Sequence, residues 1–408
     1  MPYMKIAILS DLHLGYDRFG EDAYTQARSA LELACESADA VLIPGDIFDK
    51  RNPKPETIAQ AINMFREAAR RKWRAKVSSF KSVDGRNAFT DAPIIAIPGT
   101  HERTSEGSEN ALSLLGLAGL LVDAGEADVI IDDGKEKIHV FGLGGLSEER
   151  VRESLQKLQP KPVSDAFNIF MFHQSTYELL PFSDDFIHNE ELPKGFDLYV
   201  DGHIHSRQEL QVHGKKLLIP GSTVLTQLKE GEQEPKGIIV FDTREQSYSF
   251  MKINSRRFVC KAIEAEGAKP AELMEACDKT IKELLSDGGS GADRPIIRIV
   301  LRGKLTKGFT NTDMDARRIS SKYSGKCFLE IDTSKLRSDD SEKSIADIRD
   351  SKMDGVSIKE AGINAFIENL KQHGFDNTID AKKLFEILSS QSKKEKMMKE
   401  ANELLLGQ

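Results

Sequence analysis

The sequence predicts a layered α/β fold, and three observations lead to that prediction. Short β-branched runs recur over the first 250 residues, and turn or polar residues end each of them. Helical patterns lie between several of these runs, for example over 58–69, where apolar residues recur at spacings of four, three and four. The length of 408 residues predicts two or three domains, because a domain averages roughly 150 residues. The predicted strands are 6–9, 40–43, 93–97, 137–141, 168–172, 196–200, 216–219 and 237–241.

Composition is typical of a soluble globular protein. Hydrophobic residues at 39% and charged residues at 30% exclude collagen-like, disulfide-scaffold and fully disordered classes. The formal net charge of −8 gives no electrostatic reason to expect nucleic acid, so such a partner must be argued from a site. Four scattered cysteines form no CxxC motif and predict buried thiols in a reducing cytosol. We expect no signal peptide and no membrane insertion, because the longest apolar stretch, 111–122, is far shorter than a span of about 20 residues.

The pattern restarts after residue 255 as a smaller unit. A strand over 258–263, a helix ending at Gly288, a strand over 296–301, a polar helix and a strand over 327–331 predict a compact second α/β domain. A polar linker and two amphipathic helices then follow to the C-terminus. This helix pair docks either on its own chain or on a partner, and the polar linker favours the partner.

Aspartate, threonine and histidine side chains follow five of the predicted strands at the point where each strand ends. Because ligands bind at the carboxyl ends of strands in open α/β folds, we expect these residues to converge on one crevice. Asp11 and His13 form one pair at the spacing i and i+2, and His203 and His205 form another. At this spacing an extended backbone points both side chains the same way. The candidate residues are Asp11, His13, Asp46, Thr100, His101, His173, His203 and His205.

This mixed set of carboxylates and imidazoles predicts a metal site. A single histidine after a strand is more often a packed residue, so the prediction depends on all five segments together. Oxygen and nitrogen ligands without cysteine suit Mn, Fe or Zn and argue against a structural zinc. Two aspartates and four histidines are too many for one catalytic ion with an open position. Two ions about 3.5–4 Å apart, bridged by one carboxylate, would use them all in a phosphoryl displacement.

Six short segments carry a resemblance to a known family. Asp-x-His-x-Gly at 11–15 and Gly-Asp-x-Phe-Asp at 45–49 are nuclease-like, whereas the protein phosphatases have a glycine directly after the histidine and Asp-Arg-Gly after the second motif. The chain resembles the calcineurin-like metallophosphoesterases, and within them the Mre-eleven/SbcD nucleases of double-strand-break repair, of archaeal type. The segments are Ser10-Asp11-Leu12-His13-Leu14-Gly15, Gly45-Asp46-Ile47-Phe48-Asp49, Gly99-Thr100-His101-Glu102, Phe172-His173-Gln174, Gly202-His203-Ile204-His205 and Pro220-Gly221-Ser222.

The resemblance implies an architecture for the whole chain. Residues 1–255 would form a metallophosphoesterase β-sandwich flanked by helices, and 256–335 a small α/β DNA-capping domain. Residues 336–357 would be a linker, and 358–408 a helix pair that grips the coiled coil of a Rad-fifty/SbcC-type ATPase. The family also pairs protomers through helices near 58–69 and 111–122, although an apolar helix is usually buried in its own domain.

The resemblance also implies a function. We expect a manganese-dependent hydrolase with two Mn²⁺ per subunit, or Mg²⁺ or another divalent ion in their place. It would act as a 3′–5′ double-strand exonuclease and single-strand endonuclease on DNA, as a homodimer in the cytoplasm, associated with the nucleoid. The alternatives are a phosphodiesterase for a small molecule or nucleotide and a non-catalytic scaffold of a repair complex. A basic run over 70–76 is either a solvated helix end or a contact for DNA phosphates.

Carried over position by position, the family pattern assigns a role to each candidate residue. Asp11, His13 and His205 would bind one metal, His173 and His203 the second, and Asp46 would bridge the two. His101 would not bind metal but contact the scissile phosphate and assist the leaving group. Thr100 stands where most members have Asn. Either Thr100 ligates the second metal, directly or through water, or that metal has lost a protein ligand.

Overall fold

The computed structural model describes residues 4–103, 109–180, 186–286, 294–337 and 383. The chain divides into two compact units, residues 1–260 and residues 261–408. The expected helix pair over 358–408 and the expected linker after residue 337 lie outside the described residues, apart from residue 383.

The first unit contains thirteen strands and four α-helices within the described residues. All eight predicted strands are present. The helices are α1 (Gly20–Ser37), α2 (Pro55–Ala69), α3 (Ala111–Leu117) and α4 (Glu148–Leu158). The strands are β1 (Lys5–Ile8), β2 (Ala40–Ile43), β3 (Lys76–Ser82), β4 (Ile94–Ala96), β5 (Val122–Asp123), β6 (Ala127–Asp132), β7 (Lys137–Leu143), β8 (Phe167–Phe172), β9 (Leu198–Asp201), β10 (Gln208–Val212), β11 (Lys215–Ile219), β12 (Gly237–Asp242) and β13 (Ser247–Lys252).

Two sheets pack face to face in this unit. One has the order β13-β12-β1-β2-β4-β5, and the other has the order β10-β11-β9-β8-β7-β6-β3. Successive side chains of a strand point to opposite faces of its sheet. Each strand therefore contributes to two cores, one between the sheets and one against the elements that cover the outer face. Ile6 and Ile8 of β1 pack between the sheets, while Ala7 packs against the helices on the outer face. Aromatic residues and α4 cover the outer face of the second sheet. These layers confirm the predicted α/β fold.

The predicted helix over 58–69 is α2, which begins at Pro55, where the missing amide hydrogen of proline costs no helical bond. The apolar stretch 111–122 is not one helix as its composition predicts. Its helix, α3, ends at Leu117, and Val122 already belongs to β5. Gly119 adopts a φ of 70°, the left-handed conformation that commonly ends helices.

The second unit has the elements that the sequence predicts for a small α/β fold. They are β14 (Phe258–Glu264), α5 (Pro270–Ser286), β15 (Ile296–Lys304), α6 (Ala316–Tyr323) and β16 (Phe328–Arg337). The division between the units falls inside β14. β15 and β16 pair in parallel as far as Lys304 with Arg337, so β16 extends two residues into the expected linker.

The sequence also predicts buried free thiols and no membrane-spanning helix. All four cysteines are free, with Cys277 and Cys327 buried, whereas Cys35 and Cys260 are only half-buried. Within the described residues, no helix combines the length and apolar character needed to cross a membrane.

Candidate metal centre

The predicted site residues lie in the loops that follow β1, β2 and β4 of one sheet and β8 and β9 of the other. These strands run parallel within their sheets, so their carboxyl ends open onto a common edge. Contacts among their side chains bring together all of the candidate residues, namely Asp11, His13, Asp46, Thr100, His101, His173, His203 and His205.

One cluster of potential metal ligands consists of Asp11, His13 and His205, whose ligand atoms all lie within 4.8 Å of one another. The Nε2 atoms of His13 and His205 are 3.1 Å apart, and His205 Nε2 lies 3.8 Å from Asp11 Oδ1. Asp11 and His13 are buried.

A second cluster consists of Asp46, His173 and His203, with the same limit of 4.8 Å. His173 Nε2 lies 3.2 Å from Asp46 Oδ2. Asp46 also belongs to a third group, with His13 and His101. Its carboxylate therefore lies within reach of ligands from both clusters, as a bridging ligand must.

The donor atoms fit divalent metal ions. Both carboxylate oxygens of Asp11 are buried, and within the described part of the chain neither has a hydrogen-bond partner. Leaving such a group unpaired is costly, and a cation would satisfy it. Two ligands at right angles and about 2.1 Å from one ion lie about 3.0 Å apart. The 3.1 Å between His13 and His205 and the 3.2 Å between Asp46 and His173 match that spacing.

The backbone adopts a strained conformation at four of these residues. Asp11, His13, Asp46 and His203 have φ values of 53°, 44°, 51° and 66°. Left-handed φ is uncommon outside glycine and clusters at functional sites, where the surrounding structure enforces it. The neighbouring Gly99 has no room for a side chain, since a Cβ there would lie 2.1 Å from Asp46 Oδ1. The loop backbone therefore approaches the Asp46 carboxylate closely.

Polar atoms lie close to Nδ1 of three of the histidines, on the side of each ring away from the clusters. His13 Nδ1 lies 3.2 Å from Asp49 Oδ1, and His173 Nδ1 lies 2.7 Å from the carbonyl oxygen of Pro44. The Nδ1 atom of His205 contacts the hydroxyl of Thr226. The hydrogen bonds at His173 and His205 are of the kind that fixes the tautomer of a metal-binding imidazole and turns its other nitrogen toward the ion.

Burial and neighbouring charges shift the pKa values in the centre. Burial raises the pKa of Asp11. Burial would also raise the pKa of Asp46, but the charge and hydrogen bond of His173, the charge of His13 and the backbone amide of His101 together outweigh burial and hold the pKa below its usual range. Burial lowers the pKa of His203 to about 4 and that of His205 well below its ordinary value. Both imidazoles are therefore neutral at pH 7 and have a lone pair available for a metal.

Thr100 and His101 lie at the edge of the second cluster. Thr100 Oγ1 is 3.2 Å from His203 Nδ1, a spacing that suits two ligands of one ion. The backbone amide of His101 donates to Asp46 Oδ1 over 2.9 Å, and its exposed ring lies 5.0 Å from that of His13, centroid to centroid.

Three residues of the centre had no role in the sequence analysis. Glu102 is buried and accepts hydrogen bonds from the backbone amides of Phe48, at 2.9 Å, and Gly99, at 2.8 Å. Burial raises its pKa to about 7. Its position in the Gly99-Thr100-His101-Glu102 motif indicates that Glu102 lies near the centre. Lys236 and Glu232 lie outside all motifs, and their four-residue spacing does not reveal that both are buried.

The basic run over 70–76 forms ion pairs within the first unit. Arg71 pairs with Glu36, Arg74 with Asp39, and Lys76 with Asp91. These contacts favour the solvated helix end over a phosphate-binding surface.

Comparison with known proteins agrees with this geometry. The sequence model of the calcineurin-like phosphoesterases matches residues 4–207. The "Double-strand break repair protein MRE11" of Oryza sativa subsp. indica is 26% identical over 383 residues, which cover 79% of this chain and 54% of that protein. The protein of the same name in Homo sapiens is 27% identical over 289 residues, 61% of this chain and 40% of that one. The chain thus spans about half the length of its rice relative. It belongs to the calcineurin-like phosphoesterase family.

Proposed function

We propose that this chain is a divalent-metal-dependent DNA nuclease that acts in double-strand-break repair. The observation that carries the proposal is the pair of His/Asp clusters beside the exposed His101, with Asp46 of the second cluster also within reach of His13 of the first. The relatives named as double-strand break repair proteins in rice and human support DNA as the substrate.

The proposed cofactor is a pair of Mn²⁺ ions per subunit, with Mg²⁺ or another divalent ion as substitutes. Carboxylate oxygen and imidazole nitrogen without thiolate suit these ions. Bound divalent ions supply Lewis acidity and lower the pKa of water, which phosphodiester hydrolysis needs. Asp11, His13 and His205 would hold one ion, His173, His203 and Thr100 the other, and Asp46 both.

His101 is the proposed catalytic residue. Its Nδ1 lies 2.5 Å from the carbonyl oxygen of Asp49, and because a carbonyl only accepts, Nδ1 carries a hydrogen. Nε2 is then the atom that can face a scissile phosphate. When the ring is doubly protonated, Nε2 can transfer its proton to the departing 3′-oxygen of the DNA.

We further propose 3′–5′ exonuclease activity on duplex ends and endonuclease activity on single strands. The protein would act as a homodimer in the cytoplasm, associated with the nucleoid. Leu114 and Leu117 on α3 support the dimer, because they are large apolar residues exposed to solvent. Residues 256–335 would cap the DNA, and 358–408, beyond the linker that follows β16, would bind a coiled-coil ATPase of the Rad-fifty/SbcC type.

The test is a digestion assay on linear duplexes and single-stranded circles, with and without Mn²⁺ and with and without the partner ATPase. Bis-p-nitrophenyl phosphate is the small-molecule substrate run beside them. Asp46→Ala should abolish hydrolysis of every substrate. His188→Ala is the matched control, because His188 is an exposed histidine in no motif, and it should retain full activity.

The assay separates the alternatives. Manganese-dependent cleavage of DNA that is lost in Asp46→Ala supports the nuclease. Hydrolysis of bis-p-nitrophenyl phosphate without any cleavage of DNA, even with the ATPase, would indicate a small-molecule phosphodiesterase. Tight metal binding with no hydrolysis of any substrate would indicate a scaffold.

A further inference from the structure

Lys236 is a buried cation directly behind the candidate metal centre. Its side chain is 6% exposed. Its Nζ donates hydrogen bonds to the carbonyl oxygen of His205, at 3.1 Å, and to Ser222 Oγ, at 2.9 Å. Lysine is rarely buried to this extent unless it is paired, and here its partner is Glu232, at 3.5 Å. One end of this ion pair thus fixes the backbone of a proposed metal ligand.

Glu232 connects the same ion pair to the ring of His205. The carboxylate accepts hydrogen bonds from the backbone amides of Thr226, at 3.3 Å, and Gln227, at 2.8 Å. The hydroxyl of Thr226 in turn contacts His205 Nδ1. Glu232 therefore holds the backbone that places this hydroxyl, and the hydroxyl fixes the rotation of the imidazole.

The two ring nitrogens of His205 have separate roles in this arrangement. Nε2 faces the first cluster, at 3.1 Å from His13 Nε2 and 3.8 Å from Asp11 Oδ1. Nδ1 faces Thr226, whose hydroxyl can accept its hydrogen and leave the lone pair on Nε2. A partner of this kind usually raises the affinity of a histidine for its metal.

A role in stability alone is a weak explanation for the pair. Buried ion pairs contribute little net stability, since removing two charges from water offsets most of their attraction. Their hydrogen bonds instead lead to His205 by two routes, through its carbonyl oxygen and through its ring.

We propose that Lys236 and Glu232 are positioning residues for His205, holding its backbone directly and its ring through Thr226. The inference rests on the proposed function only in taking His205 as a metal ligand. Neither residue belongs to a motif of the resemblance, and neither contacts the substrate in this role.

The experiment measures Mn²⁺ binding by isothermal titration calorimetry in the full chain. Lys236→Met and Thr226→Val should each weaken one of two binding steps by about 10- to 100-fold, the usual effect of losing an outer partner of a ligand. His205→Ala identifies that step, because it removes the ligand itself. Lys236→Arg keeps the charge and should restore part of the affinity.

A second measurement, hydrogen exchange, reports directly on the backbone at Thr226 and Gln227. Hydrogen exchange at the amides of Thr226 and Gln227 should speed up in Lys236→Met, because Glu232 loses its cation and holds these amides less firmly. Thr226→Val, which removes a single hydroxyl, tests the route to the ring even if Lys236→Met does not fold.

The matched control is Arg256→Met, which removes a different, largely buried cation of the same unit from its pair with Asp22. It should leave both manganese steps unchanged. If Lys236→Met and Thr226→Val bind Mn²⁺ as tightly as the wild type while His205→Ala loses a step, the positioning role is wrong and the metal centre stands. If the wild type binds no divalent ion, the proposed function itself is wrong, and this inference with it.

Discussion

Asp46 is the residue on which the contacts of the centre converge. One carboxylate oxygen accepts a hydrogen bond from the backbone of His101, and the other lies 3.2 Å from His173 Nε2. Its φ of 51° and the missing side chain at Gly99 let three loops approach the same carboxylate. The positions of single atoms in this site therefore depend on backbone conformations that residues other than glycine rarely adopt.

Replacing Thr100 tests the departure from the family pattern. Thr100→Asn adds a longer side chain with an amide oxygen next to His203, so we expect the second manganese to bind about tenfold more tightly, or about 1.4 kcal/mol. Thr100→Val keeps the shape, removes the hydroxyl and should weaken the same step. Calorimetry measures both. Equal affinities in all three proteins would rule out a role for Thr100 in binding the metal.

Replacing His101 separates catalysis from metal binding. In His101→Ala the backbone amide that bonds to Asp46 remains, so both manganese steps should keep their affinity. DNA cleavage should slow by about 10²- to 10⁴-fold, because the general acid is lost. The measurements are kcat on duplex ends and calorimetry on the same sample. A parallel loss of metal binding would mean that the ring supports the ions and not the leaving group.

At the scale of elements, α1 packs closely on its sheet through small side chains. The helix faces the sheet with Ala23, Ala27, Ala30 and Ala34, all fully buried and spaced by four, three and four residues. Small side chains at that period let the helix approach β1 and β12 closely.

Overpacking this contact should destabilise the first unit. We expect Ala27→Leu to lower its free energy of unfolding by about 1–3 kcal/mol, because the added methylenes have no space. Thr25→Leu introduces the same residue on the exposed side of the helix and should change that free energy by less than about 0.5 kcal/mol. Urea denaturation followed by circular dichroism compares them. Equal stability of the two variants would show that the helix does not pack as described.

At the scale of the whole molecule, the charge of −8 and the proposed DNA substrate must be reconciled. Acidic ligands account for part of that charge, and divalent ions in the centre would neutralise them. The basic run over 70–76 adds little, since Arg71, Arg74 and Lys76 are already paired. DNA binding by the isolated protein should therefore be weak, salt-sensitive and dependent on divalent ions.

The proposed dimer depends on the exposed leucines of α3. Their exposed fractions are 46% for Leu114 and 51% for Leu117. Combining Leu114→Glu with Leu117→Glu should convert a dimer into a monomer at micromolar concentration, without changing manganese affinity. Val163→Glu, at another exposed apolar residue, should leave the dimer intact. Sedimentation velocity distinguishes these results, and a monomeric wild type would contradict the proposal.

The sequence predicts the central strands of the two sheets but not the strands at their edges. Four of the five strands that were not predicted, β3, β5, β10 and β13, are the four outer strands of the two sheets. Edge strands bury less side-chain surface, so β10 alternates exposed Glu209 and Gln211 with half-buried Gln208 and Leu210 instead of forming a β-branched run. The fifth, β6, lies next to an edge and alternates buried with half-buried residues.

The sequence by itself determined which side chains meet in the centre, because each of them directly follows a recognisable buried strand and parallel strand ends share an edge. Only the tertiary structure decided how His205 is held. Lys236, which directly precedes β12, reaches it across 31 residues, and Glu232 reaches it from a short 3₁₀ helix (Glu230–Gln233) through Thr226; local periodicity carries no information about such contacts. Burial of these two charges is a property of the packed layers, and no pattern of neighbouring residues encodes it.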